Sequence, residues 1–274
     1  LGLALSRAGG SQQALIEKSL AKRAQSGFAA EAGVFSAQLA AAGVSGPREA
    51  IEGKFGYHAL YGSGNCDVLI DGLGTQYESL ATAIKKYPSC TANHVPIDLL
   101  IESAESEDLS PSDIDSIEIH LSPFADQLVG ATFDPSGNPQ VAAQFSIHYS
   151  AASALLRRRL GIAEIQDAAV FDPAVEQFIS KVAVTIEDSN TGKFAPAGVR
   201  IHTAGGKVLE SRLDHVPGTP MNPLSDAQVA AKFRDCAAFG LKPMTTSAAD
   251  AFAATLGKLD ESPDLGAALS GVHG

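Results

Sequence analysis

The chain has 274 residues, a formal net charge of −11, 45% hydrophobic and 6% aromatic residues, and no tryptophan. Such a length holds one or two domains with a sizeable core, and the apolar fraction excludes a disordered chain. The acidic balance lacks the basic stripe of a nucleic-acid binder; the densest basic run, Arg157-Arg158-Arg159, reads as a helix end, where cations suit the macrodipole.

The segment from Phe28 to Gly43 is mostly Ala, Gly, Ser and Val, which implies closely approaching helices. Phe35, Leu39 and Ala42 mark one buried helix face there, stopped by Gly43. Pro47 opens a short helix. The glycines from Gly53 to Gly74 read as turns, because Gly62-Ser63-Gly64 lacks the third glycine of a nucleotide loop. Leu80, Thr82 and Ile84 alternate as a short strand. Ile97, Leu100, Ile101 and Ala104 then have helical spacing. Ile117, Ile119 and Leu121 alternate with Glu118 and His120 as a half-buried strand. Phe145, Tyr149, Ala152 and Leu156 form the stripe of a longer helix. Asp172-Pro173 reads as an N-cap and first turn, and Val182, Val184 and Ile186 as a strand. Val199 with Ile201 and Val208 with Leu209 flank Gly205-Gly206 as a hairpin. After Pro217, Gly218, Pro220 and Pro223, Ser225 and Gln228 have capping-box spacing ahead of a helix carrying Val229, Phe233 and Cys236. Phe252 and Leu256 belong to a last helical stretch.

The change of hydrophobic period at two junctions suggests a mixed fold: an all-α helical domain with an inserted α+β domain. The expected boundaries are 1–77 helical, 78–222 α+β, and 223–274 a return to the helical domain. Cys66, Cys90 and Cys236 are an odd, sparse set that makes no disulfide framework and points to a reducing, cytoplasmic setting. Cys90 and His94 are four apart without a second pair, so no metal site is expected. No apolar run approaches the roughly 18 residues of a membrane span. The chain starts at Leu1 without a basic leader, which suggests a start inside a longer protein and no signal peptide.

Four segments, in order, resemble the MmgE/PrpD family, the relatives of 2-methylcitrate dehydratase and cis-aconitate decarboxylase. They are Lys22-Arg23-Ala24-Gln25-Ser26-Gly27-Phe28 with the later Gly46-Pro47 and Ile51–Gly56; Lys85-Lys86-Tyr87-Pro88-Ser89-Cys90-Thr91-Ala92-Asn93-His94; Gln144-Phe145-Ser146-Ile147-His148-Tyr149-Ser150; and Pro217–Ser225 running into Lys232-Phe233-Arg234. The resemblance implies a large helical domain with further helices before this chain, a smaller α+β lid, and an active site in the cleft between them. It implies a homodimer, no cofactor, and a cofactor-free lyase acting on a small di- or tricarboxylate. Epimerisation of a dicarboxylate or a non-catalytic scaffold are the alternatives.

By the same resemblance Lys22, Lys85, His94 and Tyr149 are site residues, and Lys22, Lys85 and His94 are expected to converge. The sequence departs from many relatives at Gln25-Ser26, and from the 2-methylcitrate dehydratases at Ser89–Asn93. The chemistry of these residue types agrees with that reading. Proton removal beside a carboxylate needs a base near neutral pH and a fixed positive charge, which His and Lys supply. A tyrosine hydroxyl can serve the leaving group. The bland alternatives are solvated lysines, a histidine near a helix cap, and a tyrosine in the core; Cys90 reads as a small packed residue.

Overall fold

The structure, a computed structural model, describes residues 1–11, 13–17, 19–62 and 64–269. Ser63 of the glycine-rich segment and the end of the last helical stretch, 270–274, lie outside the described residues, as does the side chain of Cys66. The chain divides into two compact units, Leu1–Leu80 and Ala81–Gly274. Residues 223–269, part of the 223–274 stretch expected to return to the helical domain, fall within the second unit. The overall class is mixed: helices together with one four-stranded sheet.

The first unit is built on α1, Ala21–Ala41. The expected stripe is displaced. Ala32 and Ser36 are its buried residues, while Phe35 is exposed. The helix is alanine-rich all round, so one bulky residue does not fix which face turns inward. Ser36 meets its burial by donating its hydroxyl to the Ala32 carbonyl at 2.6 Å. No helix starts at Pro47. The chain makes turns through Gly53 and Gly56 before the short helix Tyr57–Tyr61, because glycines there favour reversal over propagation.

The second unit holds the main core, running from Tyr87 to Val216. Among its helices are α2 (His94–Ser106), α3 (Ile147–Arg157), α4 (Pro173–Ile179), α5 (Asp226–Ala238) and α6 (Thr246–Leu256). Its strands are β1 (Ile114–Leu121), β2 (Val182–Ile186), β3 (Ala197–Thr203) and β4 (Val208–Leu213), in the order β2-β1-β3-β4. β1 pairs in parallel with β2 and antiparallel with β3, and β3 and β4 form the expected hairpin. Gly206 takes φ +80° in its turn, a conformation glycine adopts without a Cβ penalty.

Alternation on β1 buries Ile117, Ile119 and Leu121 in the core, where α2 packs on β3 and β4 and α3 on β2. The opposite face carries ion pairs: Arg200 reaches Glu118 at 2.8 Å and Arg212 reaches Glu187 at 2.8 Å. α2 buries Ile97, Leu100 and Ala104 as their spacing requires. α3 begins at Ile147, capped by Ser146, whose Oγ accepts from the Tyr149 N–H at 3.1 Å. That cap leaves Phe145 before the helix rather than on its stripe. Asp172 caps α4, and Ser225 with Gln228 closes a capping box on α5.

No strand forms at 80–84. A 3₁₀ turn, Glu78–Ala81, gives way to extended chain whose Ile84 N–H donates to the Gly218 carbonyl at 2.8 Å. One bond without a partner strand makes no ladder. Gly218 is needed there: its φ is +89°, and a Cβ would lie 1.9 Å from the Ile84 oxygen. Among the described residues, no helix is long and apolar enough to cross a membrane.

Ile119 is wholly buried at the centre of the sheet. Truncation to alanine removes three carbons that neighbours cannot replace, so Ile119→Ala should lower stability by about 2–5 kcal/mol in urea unfolding. A loss below about 1 kcal/mol would show that the strand is not at the core's centre.

Candidate active site

The second unit brings three of the four sequence segments together. Gln144 is the hub for two of them. Its main-chain carbonyl accepts from the Cys90 N–H at 2.8 Å and from Asn93 Nδ2 at 3.3 Å, and its side-chain amide donates to the Pro88 carbonyl at 2.9 Å. The fourth segment joins through Gly218, which meets Ile84. The loop from Ile84 to Asn93 is therefore held at both ends, and it delivers His94 as the first residue of α2.

A buried carboxylate fastens the same loop from below. Asp98, one turn along α2 from His94, accepts from Lys86 Nζ at 2.5 Å and from the Tyr87 hydroxyl. Burial, with Asp98 beside it, holds the Tyr87 phenol far above its ordinary pKa, so it stays a donor. The Tyr87 ring packs edge-on against the His94 imidazole, centroids 5.4 Å apart.

His94 is completely buried, and neither ring nitrogen has a hydrogen-bond partner among the described residues. The main chain of Ser89 and Tyr87 lies near enough to raise its proton affinity in part, but not in hydrogen-bonding geometry. Burial dominates, the Lys85 charge adds to it, and Lys232 contributes further; the imidazole is pushed down to about 3. Asn93 Oδ1 and Ser150 Oγ are also buried without partners among the described residues. Each unmet polar atom costs about 1–3 kcal/mol, a cost that folding alone does not explain.

Lys85 is exposed along its stem, and its Nζ donates to the Ser89 carbonyl at 2.9 Å. The ammonium, the Ser89 carbonyl and the His94 ring thus form one neighbourhood. Lys22 lies in the first unit, exposed, in the first turn of α1. Tyr149 is wholly buried. Its hydroxyl donates to the Glu164 carbonyl and accepts from Arg157 Nη1 at 3.3 Å, and its ring packs 5.3 Å from Phe133. Neither partner is Lys85 or His94. Cys90 is buried with a free thiol. Among the described residues no three His, Cys, Asp or Glu side chains are disposed to hold a metal ion.

Sequence reasoning missed Asp98, Gln144 and Lys232. Asp98 had a legible signal, an acidic residue four positions after His94 on an otherwise apolar helix face. The partners of Gln144 and Lys232 are distant in sequence, and no spacing exposes them. The basic run proves to be three different things: Arg157 pairs with Asp172 at 2.9 Å, Arg158 is the left-handed C-cap of α3, and Arg159 reaches Asp235 at 2.5 Å.

A neutral imidazole beneath a lysine, on a loop tied to the core, is the makings of a proton-transfer site. Residues 1–68 match the MmgE/PrpD N-terminal domain and residues 87–256 match the MmgE/PrpD C-terminal domain. The chain belongs to the MmgE/PrpD family, which points to a dehydratase-type enzyme. A search of curated proteins found no match.

Because His94 stays neutral when folded, the unfolded chain binds one more proton between its ordinary pKa of 6.5 and about 3. Stability should therefore fall as pH drops through that window, and the slope should shrink in His94→Gln. Urea midpoints measured from pH 7 to pH 4 give the comparison; identical slopes in the two chains would refute a neutral buried ring.

Proposed function

We propose that this protein is a cofactor-free lyase that removes water from a small carboxylate substrate, with His94 as the proton carrier and Lys85 as the carboxylate clamp. The observation that carries this reading is the buried, unpartnered imidazole beside the Lys85 ammonium. In the resting arrangement Lys85 closes a loop onto Ser89. A substrate carboxylate is a stronger acceptor than a neutral carbonyl, so it draws the ammonium away and frees the turn above the ring. The same event cancels the positive charge that depresses His94, and the base gains basicity when substrate is present.

The substrate C–H bond then breaks towards an imidazole nitrogen, and the developing charge spreads into the carboxylate held by Lys85. The C–O bond breaks, the C=C bond forms, and hydroxide departs as water with the proton His94 has taken. Lys22 and Tyr149 enter this reading through the family resemblance. Tyr149, tied to Glu164 and Arg157, acts in it by fixing the frame around α3. A homodimer, expected on the same resemblance, is tested by light scattering of the protein at micromolar concentration.

The decisive assay incubates the protein with a panel of hydroxylated di- and tricarboxylates in deuterium oxide and follows alkene formation and deuterium uptake by NMR. Lys85→Ala should lower turnover by about 10²-fold or more while leaving the melting temperature nearly unchanged, since Lys85 is itself exposed and gives one hydrogen bond to a loop carbonyl. His94→Gln should abolish both elimination and exchange. Lys22→Ala should lower turnover without altering either compact unit's folding. Undiminished exchange in His94→Gln would exclude it as the proton carrier.

A further inference from the structure

α5 is fastened to the body of the second unit by Asp235. Its carboxylate accepts from Arg159 Nη2 at 2.5 Å and from the Ile162 N–H at 3.0 Å. Beside this attachment lies a cleft of about 360 Å³ with Tyr87, Ile101 and Leu160 on one wall and Ala231 and Lys232 on the other. Most cations around it are committed. Lys86 is bound to Asp98, Arg159 to Glu164 and Asp235, and Arg158 donates to the Leu109 carbonyl. Lys232 makes no hydrogen bond or ion pair among the described residues.

We propose that Lys232 anchors a second carboxylate group of the substrate in this cleft, and so selects di- and tricarboxylates over monocarboxylates. The inference rests on the lyase reading of the Lys85–His94 site. Three features of the geometry support it. Tyr87 is shared: its ring lines the cleft and touches the His94 imidazole, so cleft and proton carrier have a common wall. Lys232 is half-buried against apolar side chains, where a charge–charge attraction is screened less than on open surface. The nearest carboxylate on its own helix, Asp235, is occupied by Arg159 and the Ile162 N–H and does not compete for it. The electrostatic reach of Lys232 to His94 agrees with this placement.

The test uses the full chain and three probes: propane-1,2,3-tricarboxylate, succinate and butyrate. Calorimetric titration gives their affinities for the parent chain, Lys232→Met, which keeps the apolar stem, and Lys232→Arg, which keeps the charge. Deuterium uptake into the tricarboxylate is followed in parallel. Lys232→Met should weaken tricarboxylate and succinate by about tenfold or more, the value of one charge-assisted contact, and leave butyrate unchanged. Lys232→Arg should recover most of the loss. An unchanged ratio of tricarboxylate to butyrate affinity in Lys232→Met, with exchange intact, overturns the role of Lys232 and leaves the lyase reading standing. Absence of both binding and exchange in the parent chain overturns the two together.

Discussion

The arrangement depends on one buried carboxylate. Asp98 sits on the inward face of α2, almost without solvent, and an isolated charge there would cost several kcal/mol. It is tolerable because Lys86 and the Tyr87 hydroxyl both converge on one of its oxygens. The same two bonds decide the course of the chain before α2. Successive residues of the extended segment are turned to opposite duties: Lys86 goes inward to Asp98, and Lys85 folds back onto Ser89. Tyr87, held by its hydroxyl, lays its ring against His94. Loss of Asp98 would strand Lys86 and release the wall of the site in one step.

The sheet supplies the rigidity that this loop needs. β1 is central and paired on both edges, while α2 packs on β3 and β4 and α3 packs on β2. α2 carries His94 and Asp98, and α3 follows Gln144 and carries Ser150. Polar groups that fold chemistry would normally avoid are thus placed between two helices locked to one sheet. A partnerless imidazole persists there because the surrounding apolar contacts over-determine its position.

Much of this was legible in the sequence, and the limits have physical causes. Period-two alternation located β1, and the helical stripe located α2, because each buries one face and nothing else satisfies the pattern. The caps at Asp172 and Ser225 were legible because a cap is a local bond. The strand expected at 80–84 failed since alternation describes a face, whereas a strand also requires a neighbour. The face of α1 failed because alanine on every side leaves the period without contrast. For the candidate site, the family resemblance pointed to His94 and Lys85, while their environment was not legible. Burial of the ring, the Gln144 hub and the approach of Lys232 all join residues separated by tens of positions.

The electrostatics of the site follow from pairing rather than from an excess of cations. The chain is strongly acidic, and carboxylates stand close to the cleft at Asp98, Glu164 and Asp235. Each is already occupied: Asp98 by Lys86, Glu164 by Arg159 and the Gly161 N–H, and Asp235 by Arg159 and the Ile162 N–H. Charges paired at such short range have little field at a distance. Lys85 rests on a neutral carbonyl, and Lys232 has no paired acid, so their fields remain. Burial first, and these two charges after it, keep the His94 ring neutral and able to accept a proton. An acidic protein thereby presents a locally positive surface to an anion. In the proposed reading, an arriving carboxylate would meet ammonium groups that no carboxylate among the described residues already holds.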